Sequence, residues 1–176
     1  MSLFPMRRLG VASDHAGAEL KESVLALLRS WTQKGSSVGE VFDYGVPFSP
    51  PTPSTDYPDY AEILAINVSA HHIDGGIAIC GTGLGMSIVS NKFVGVRAAC
   101  VWDEYSCRMS REHNDTNILC LGARTLSVEQ ALQLVEIWLQ TPFGGGKHLL
   151  RLNKIADLEK RNFLTPPNSQ SPAGDS

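Results

Sequence analysis

Ile77-Ala-Ile-Cys-Gly-Thr-Gly-Leu-Gly-Met-Ser-Ile-Val-Ser-Asn-Lys92 is the stretch that decides the fold. It opens with an apolar run that has no polar alternation and ends in Cys80. Gly81-Thr-Gly-Leu-Gly85 then makes a tight turn, and Met86 to Lys92 reads as a helix. A strand apolar on both faces belongs inside a parallel sheet with helices above and below it. Strand, glycine-rich turn and helix in immediate succession also suggest a cradle for phosphate or nucleotide.

Outward from this stretch the same alternation repeats. Arg8 to Ser13 predicts a strand, and Leu20, Val24, Leu27, Leu28 and Trp31 recur at helical spacing. Val38 to Tyr44 predicts a second strand. Val46 to Thr55, rich in proline, predicts an irregular surface excursion. Asp59 to His72 fits a helix leading into the strand Gly76 to Cys80. Downstream, Val94 to Val101 and Asn117 to Leu121 predict two more strands, with a helix from Asp103 to His113 between them. Ser127 to Gln140 predicts another helix, and Gly144-Gly-Gly146 punctuates before a last one near Lys147 to Lys160. The expected fold is α/β: a doubly wound, mostly parallel five-stranded sheet, Rossmann-like, with helices on both faces. The expected organisation is a short leader over 1–6, one domain over 7–162, and a disordered tail over 163–176.

At 176 residues the chain can bury a core of one domain, and 43% hydrophobic with 19% charged residues is ordinary for a globular protein. A net charge of −3 gives no electrostatic case for nucleic acid or an anionic membrane. No apolar run approaches the length of a membrane span, and the N-terminus lacks a signal-peptide layout. Cys80, Cys100, Cys107 and Cys120 show neither CxxC pairing nor metal-ligand spacing. A reducing, cytoplasmic setting is the expectation.

Parallel sheets bind ligands beyond the carboxyl ends of their strands. That singles out Ser13-Asp14-His15, the Cys80 turn, Trp102-Asp103 and the loop after Leu121. The turn is G-x-G-x-G, one residue away from the dinucleotide fingerprint, and no Walker lysine follows. Its glycines either make a tight turn only, or expose N–H groups to an oxyanion beside the Thr82 hydroxyl. Cys80 is either an inert strand thiol or a reactive one, nucleophile or base, favoured by the positive potential of the turn. A phosphatase-type loop would need arginine where Met86-Ser87 stands. A protease would need an oriented Cys–His pair, for which His113 is the candidate. A general base fits best among these.

Asp14-His15 reads either as a helix cap with a surface histidine or as an acid and donor for a hydroxylated, phosphorylated ligand. Arg111-Glu-His-Asn-Asp115 is either a solvated helix end or the mounting of an acid/base His113. Arg124, Lys147, His148 and Arg151 form a cationic set. Lys147 and Arg151, four apart on one helix face, can grip one phosphate. His71-His72 lack further ligands, so no metal site is expected.

Ser13-Asp-His-Ala-Gly17, Asp56-Tyr-Pro-Asp-Tyr-Ala61, Gly75 to Ser87, Asn91 to Ala98, Ser110-Arg-Glu-His-Asn-Asp-Thr-Asn117 and Leu121-Gly-Ala-Arg124 occur in order along the chain. On these motifs, over about Arg8 to Arg161, the chain resembles the ribose-5-phosphate isomerase type B family, which also embraces galactose-6-phosphate isomerase subunits. The resemblance implies a cofactor-independent aldose–ketose isomerase of the pentose phosphate pathway. Cys80 would be the base moving a proton between C2 and C1. Thr82 and the N–H groups of Gly81, Gly83 and Gly85 would stabilise the enediolate. His113 would open the furanose ring, with Asp14 assisting. Tyr57 and Asn114 would contact the sugar, and His15, Arg124 and Arg151 the phosphate. A homodimer, or a tetramer, with sites shared between subunits and contacts through the C-terminal helix is implied as well.

Three departures stand out: Lys147 where the family often has arginine, a proline-rich loop that looks long, and leader and tail beyond the resemblance. Lys147 keeps the charge and loses the bidentate fork. Alternatives are an isomerase of a six-carbon sugar such as allose or galactose 6-phosphate, a non-catalytic sugar-phosphate or nucleotide-binding module, and, third, a thiol hydrolase or phosphatase. Cys80 with Thr82 favours the pentose enzyme.

Overall fold

The computed structural model describes residues 6–33 and 38–164. Its elements run β1 (Arg8–Ser13), α1 (Ala18–Gln33), β2 (Glu40–Asp43), α2 (Tyr57–Ser69), β3 (Gly75–Cys80), α3 (Leu84–Ser90), β4 (Ala98–Cys100), α4 (Glu104–Glu112), β5 (Ile118–Gly122), α5 (Val128–Gln140) and α6 (Lys147–Glu159). A π turn, Lys160–Leu164, follows α6. The strands line up as β2-β1-β3-β5-β4, and every pairing is parallel. Apart from Met6, Phe163 and Leu164, the expected leader and tail lie outside the described residues.

The uniformly apolar strands face two ways. Ile77 and Ile79 of β3, with Leu9, Val11, Leu119 and Leu121, bury into a layer made by α1 and α5. Ala78 and Cys80, with Ala12, Ile118 and Cys120, face α2 and α3. Alternation along each strand therefore feeds two cores, which is why no polar face was needed. Glycines let α2 sit close: a Cβ on Gly10 or Gly76 would stand 2.5 or 2.6 Å from Leu64 Cδ1.

Local signals start the helices. The Asp103 carboxylate accepts from the Ser106 N–H at 2.7 Å and caps α4. Ser127 and Gln130 form a capping box at the start of α5. The expected strand over Val94–Val101 shrinks to Ala98–Cys100. Gly95 there takes φ +75°, and the Val96 N–H turns back to the Phe93 carbonyl at 3.2 Å. The Asn91 side chain then bridges α3 to β4, donating to the Ala98 carbonyl at 2.8 Å and accepting from its N–H at 2.9 Å.

The last two helices are anchored very differently. Trp138 of α5 is fully buried, donates from Nε1 to Thr116 Oγ1 at 2.9 Å, and lies under the Arg111 guanidinium, 5.5 Å from the ring centre. It thereby pins α5 to the turn between α4 and β5. By contrast α6 buries His148 alone and leaves Leu149, Leu150, Ile155 and Leu158 exposed.

Candidate active site

The chain crosses from β1 to β2 on one side, then back past β1 to β3 on the other. The strand order reverses there, so a crevice opens between the carboxyl ends of β1 and β3, where open α/β sheets hold ligands. Asp14 follows β1 and Cys80 ends β3. The Asp14 N–H donates to the Ile79 carbonyl at 3.3 Å, and a Cβ on Gly17 would stand 2.6 Å from that same carbonyl oxygen. The β1–α1 turn is thus laid directly across the end of β3.

Cys80 is buried at the floor of this crevice, and its sulfur accepts from the Gly83 N–H at 3.2 Å. Gly83 holds φ +78°, and an added Cβ would stand 2.9 Å from Cys100 Sγ and 3.0 Å from the Leu121 carbonyl carbon. Only glycine fits both the dihedral and the space. Thr82 is exposed on the rim, its hydroxyl accepting from the Leu84 N–H at 3.4 Å. Gly81 accepts from the Arg124 N–H at 2.9 Å, and the Arg124 side chain lies over it, with Cδ and Nη1 3.4 Å from an ideal Cβ position. Gly85 lies beneath the Tyr57 ring, whose nearest atom is 2.6 Å from where a Cβ would be. The glycines at 81, 83 and 85 therefore make room, in turn, for a cation, for Cys100 Sγ and the backbone of β5, and for an aromatic wall.

The four thiols are free, and they differ. Burial pushes Cys107 up to about 12, and burial pushes Cys100 and Cys120 up as well, the neighbouring thiols adding to both. Cys80 is the thiol with a backbone donor aimed at its sulfur at a strand's carboxyl end.

Asp14 is buried and its Oδ1 accepts from the N–H groups of Ala16 and Gly17 at 2.9 and 3.1 Å, the cap geometry, while holding the acid at the crevice. His15 is tied to the end of the proline-rich loop. Its N–H donates to Thr55 Oγ1 at 3.0 Å, and its Nδ1 accepts from the Thr55 N–H at 3.1 Å, with the Thr55 carbonyl 3.0 Å away. Nε2 is the edge left for a ligand.

The remaining sequence candidates stand elsewhere. Asn117 precedes β5 and Arg97 precedes β4; they exchange hydrogen bonds, and Arg97 Nε reaches the carbonyls of Asn114 and Asp115 at 3.0 Å. His113 and Asn114 are therefore at the amino edge of the sheet. Lys147 and Arg151 join them there, because the Gly144 N–H donates to the Glu112 carbonyl at 2.8 Å and His148 stacks on His113. Strands of five or six residues span roughly 17–20 Å, so one protomer keeps His113 that far from Cys80. At the same edge a cavity of about 440 Å³ is lined by Arg8, Asp74, Arg97, Arg111, Asp115 and Asn117 among others. Its charged groups are already engaged with one another, Arg8 with Asp74 and both other arginines with Asp115. It is remote from Cys80 and separate from the crevice between β1 and β3.

A profile of the Ribose/Galactose Isomerase family matches residues 9–155. The chain belongs to that family. It is 41% identical over 156 residues to the ribose-5-phosphate isomerase B of Escherichia coli (strain K12), covering 89% of this chain and 99% of that protein. Among solved structures, a ribose-5-phosphate isomerase B of Clostridium thermocellum aligns with TM-score 0.78 and 43% identity over 88% of this chain and 98% of that one. One from Mycoplasma genitalium, with bound ribulose-5-phosphate, aligns with TM-score 0.77 and 34% identity over 87% and 96%. The α/β fold and the isomerase assignment expected from the motifs are thereby borne out. Among the described residues no helix is long and apolar enough to cross a membrane.

Three residues at the two edges of the sheet make contacts that the sequence did not show. Thr55 fixes His15 through a contact forty positions away. Cys100 supports the loop through the Thr82 carbonyl at 3.5 Å. His148 was visible only as one cation among several, with no sign of its stack. Each acts through tertiary contact, which spacing does not encode.

Proposed function

We propose that this protein interconverts D-ribose 5-phosphate and D-ribulose 5-phosphate through an enediolate. The observation that carries the reading is Cys80 Sγ under the Gly83 N–H, beside Thr82, in the crevice where the strand order reverses. The Cys80 thiolate takes the proton from C2 of the open-chain aldose and returns it to C1. The negative charge that forms on the sugar oxygens meets the loop N–H groups of Gly81, Gly83 and Gly85 and the Thr82 hydroxyl, which also relays the hydroxyl proton from O2 to O1. Tyr57 walls the sugar, Asp14 faces its ring end, and Arg124 with His15 Nε2 draws the phosphate. Phosphate binding far from the reacting carbons holds C2 at the sulfur.

A closed furanose needs an acid/base to open it, and His113 stands at the other edge of the same protomer. The reading therefore requires a homodimer, in which a second copy brings His113, Asn114, Lys147 and Arg151 to the first copy's Cys80. Two-fold symmetry then completes both sites at once. The exposed apolar residues of α6 support contacts through that helix, as do exposed Leu84 and Ile88 on α3. The free base thiol favours the cytoplasm as its setting.

The test is ketopentose formation from ribose 5-phosphate in the presence of EDTA, with wild type and Cys80→Ala. Wild type is expected to turn over. The variant should lose roughly 10²- to 10⁴-fold in kcat, the usual worth of a positioned base, while still binding a phosphorylated sugar acid. Near-normal turnover by Cys80→Ala would remove the base assignment.

A further inference from the structure

His148 lies outside the proposed chemistry, yet it is the one buried residue of α6, and its partner is His113. The two imidazoles stack with centroids 4.1 Å apart and planes 10° from parallel. The approach to this stack is built by the backbone. The Gly144 N–H donates to the Glu112 carbonyl at 2.8 Å, and the His148 N–H donates to the Gly145 carbonyl at 3.0 Å. Gly145 and Gly146 take φ of +61° and +53° to make this turn, which side-chain-bearing residues resist.

His148 Nδ1 is buried without a hydrogen-bond partner. Such a nitrogen is tolerable as a bare lone pair and costly as a buried, unpaired N–H of a cation. The charged and titratable groups facing the ring are His113 and Glu112 from α4 and Lys147 and Arg151 from its own helix. Burial first, then His113, Lys147 and Arg151, hold the His148 pKa below the ordinary histidine value, and Glu112 opposes them. A neutral ring can lie against His113 whether His113 carries its extra proton or not. Glu112 Oε1 stands 3.9 Å from His113 Nε2, beyond hydrogen-bonding distance.

We infer that His148 is a positioning residue for His113: the stack fixes the plane of the His113 imidazole and joins it to Lys147 and Arg151, so ring-opening group and phosphate grip reach the neighbouring subunit as one unit. This rests on the ring-opening role proposed for His113.

The test compares steady-state kinetics on ribose 5-phosphate for His148→Ala, His148→Leu, His148→Phe, His113→Ala and the double variant His113→Ala/His148→Ala. Proton NMR of the His113 ring in the intact protein is the second readout. His148→Ala and His148→Leu should lose about 10- to 100-fold in kcat, the cost of a misplaced catalytic group, with KM changed by less than about threefold. His148→Phe, flat and similar in size, should recover most of that loss and keep the upfield ring-current shift of His113. In the His113→Ala background His148→Ala should cost nothing further. Should His148→Ala not fold, His148→Leu against His148→Phe carries the comparison. Equal kinetics for Leu and Phe, a rise in KM alone, or additive losses in the double variant would each overturn the inference. If His113→Ala keeps full activity, the ring-opening reading falls, and the inference with it. If His113→Ala is inactive while His148→Ala and His148→Leu match wild type, the inference alone falls.

Discussion

Gly83→Ala tests whether the loop at Cys80 is set by geometry that only glycine permits. Two costs combine there. Holding a side-chain-bearing residue at φ +78° costs about 1–2 kcal/mol. The new Cβ would also stand 3.0 and 3.2 Å from the carbonyl carbon and amide nitrogen of Leu121 in β5, backbone that cannot step aside, and 2.9 Å from Cys100 Sγ. Overpacking of that kind adds about 1–3 kcal/mol. Gly95→Ala is the control: Gly95 holds nearly the same φ, +75°, and a Cβ there meets nothing within 4 Å. It should show the dihedral cost alone. At about 2–4 °C per kcal/mol for a chain of this size, the overpacking cost alone should make Gly83→Ala melt roughly 2–12 °C below Gly95→Ala in a calorimetric scan. Relief of the clash must rotate the Gly83 peptide, taking its N–H away from Cys80 Sγ, so kcat should fall by more than KM rises. Equal melting temperatures for the two variants, with kcat intact in Gly83→Ala, would refute the reasoning.

Gly85→Ala pushes on the exposed Tyr57 ring, which can swing outward, so stability should drop by less than about 1 kcal/mol while KM for the sugar phosphate rises; a lowered kcat at unchanged KM would contradict the wall assignment. Acidification should expose the depressed pKa of His148: below the ordinary value of about 6.5 the unfolded chain takes up that proton before the folded one, so stability declines as pH falls through 6.5 towards the folded value. His148→Phe should show a shallower decline than wild type in urea titrations at successive pH values, and identical slopes would exclude a buried neutral His148. Co-expression of Cys80→Ala with His113→Ala should restore about a quarter of wild-type activity, since half the dimers are mixed and one of their two sites is whole. No recovery in demonstrably mixed dimers would overturn the shared site and leave one of the two residues with a different role.

Much of the carboxyl-edge site was legible because its residues follow strands directly. Apolar runs end where the sheet ends, so Asp14 after β1 and Cys80 at the close of β3 are located as soon as the strands are. Boundaries failed where a dihedral interrupts an apolar run. Val94 to Val101 looks like one strand, yet Gly95 at positive φ breaks it and leaves three residues in the sheet. The π turn at Lys160–Leu164 likewise extends the last helix into what reads as tail. The burial of His148 was illegible for another reason. Between a lysine and an arginine one turn on, it reads as part of a solvated basic face, and nothing local reports that a ring from α4 lies against it.

The division of the site, in contrast, is contained in the strand–helix alternation itself. In a parallel sheet each connecting helix must return the chain to the amino edge before the next strand begins. Whatever ends a helix is therefore delivered to the edge opposite the one where strands end. Cys80 ends a strand and His113 caps the end of α4, so the two are separated by the length of the sheet in any parallel fold that this alternation permits. Chemistry that needs both must bring them from two copies, or the role of one of them is different. That dichotomy makes the complementation experiment decisive: a shared site regenerates activity from two dead variants, and a site within one protomer cannot.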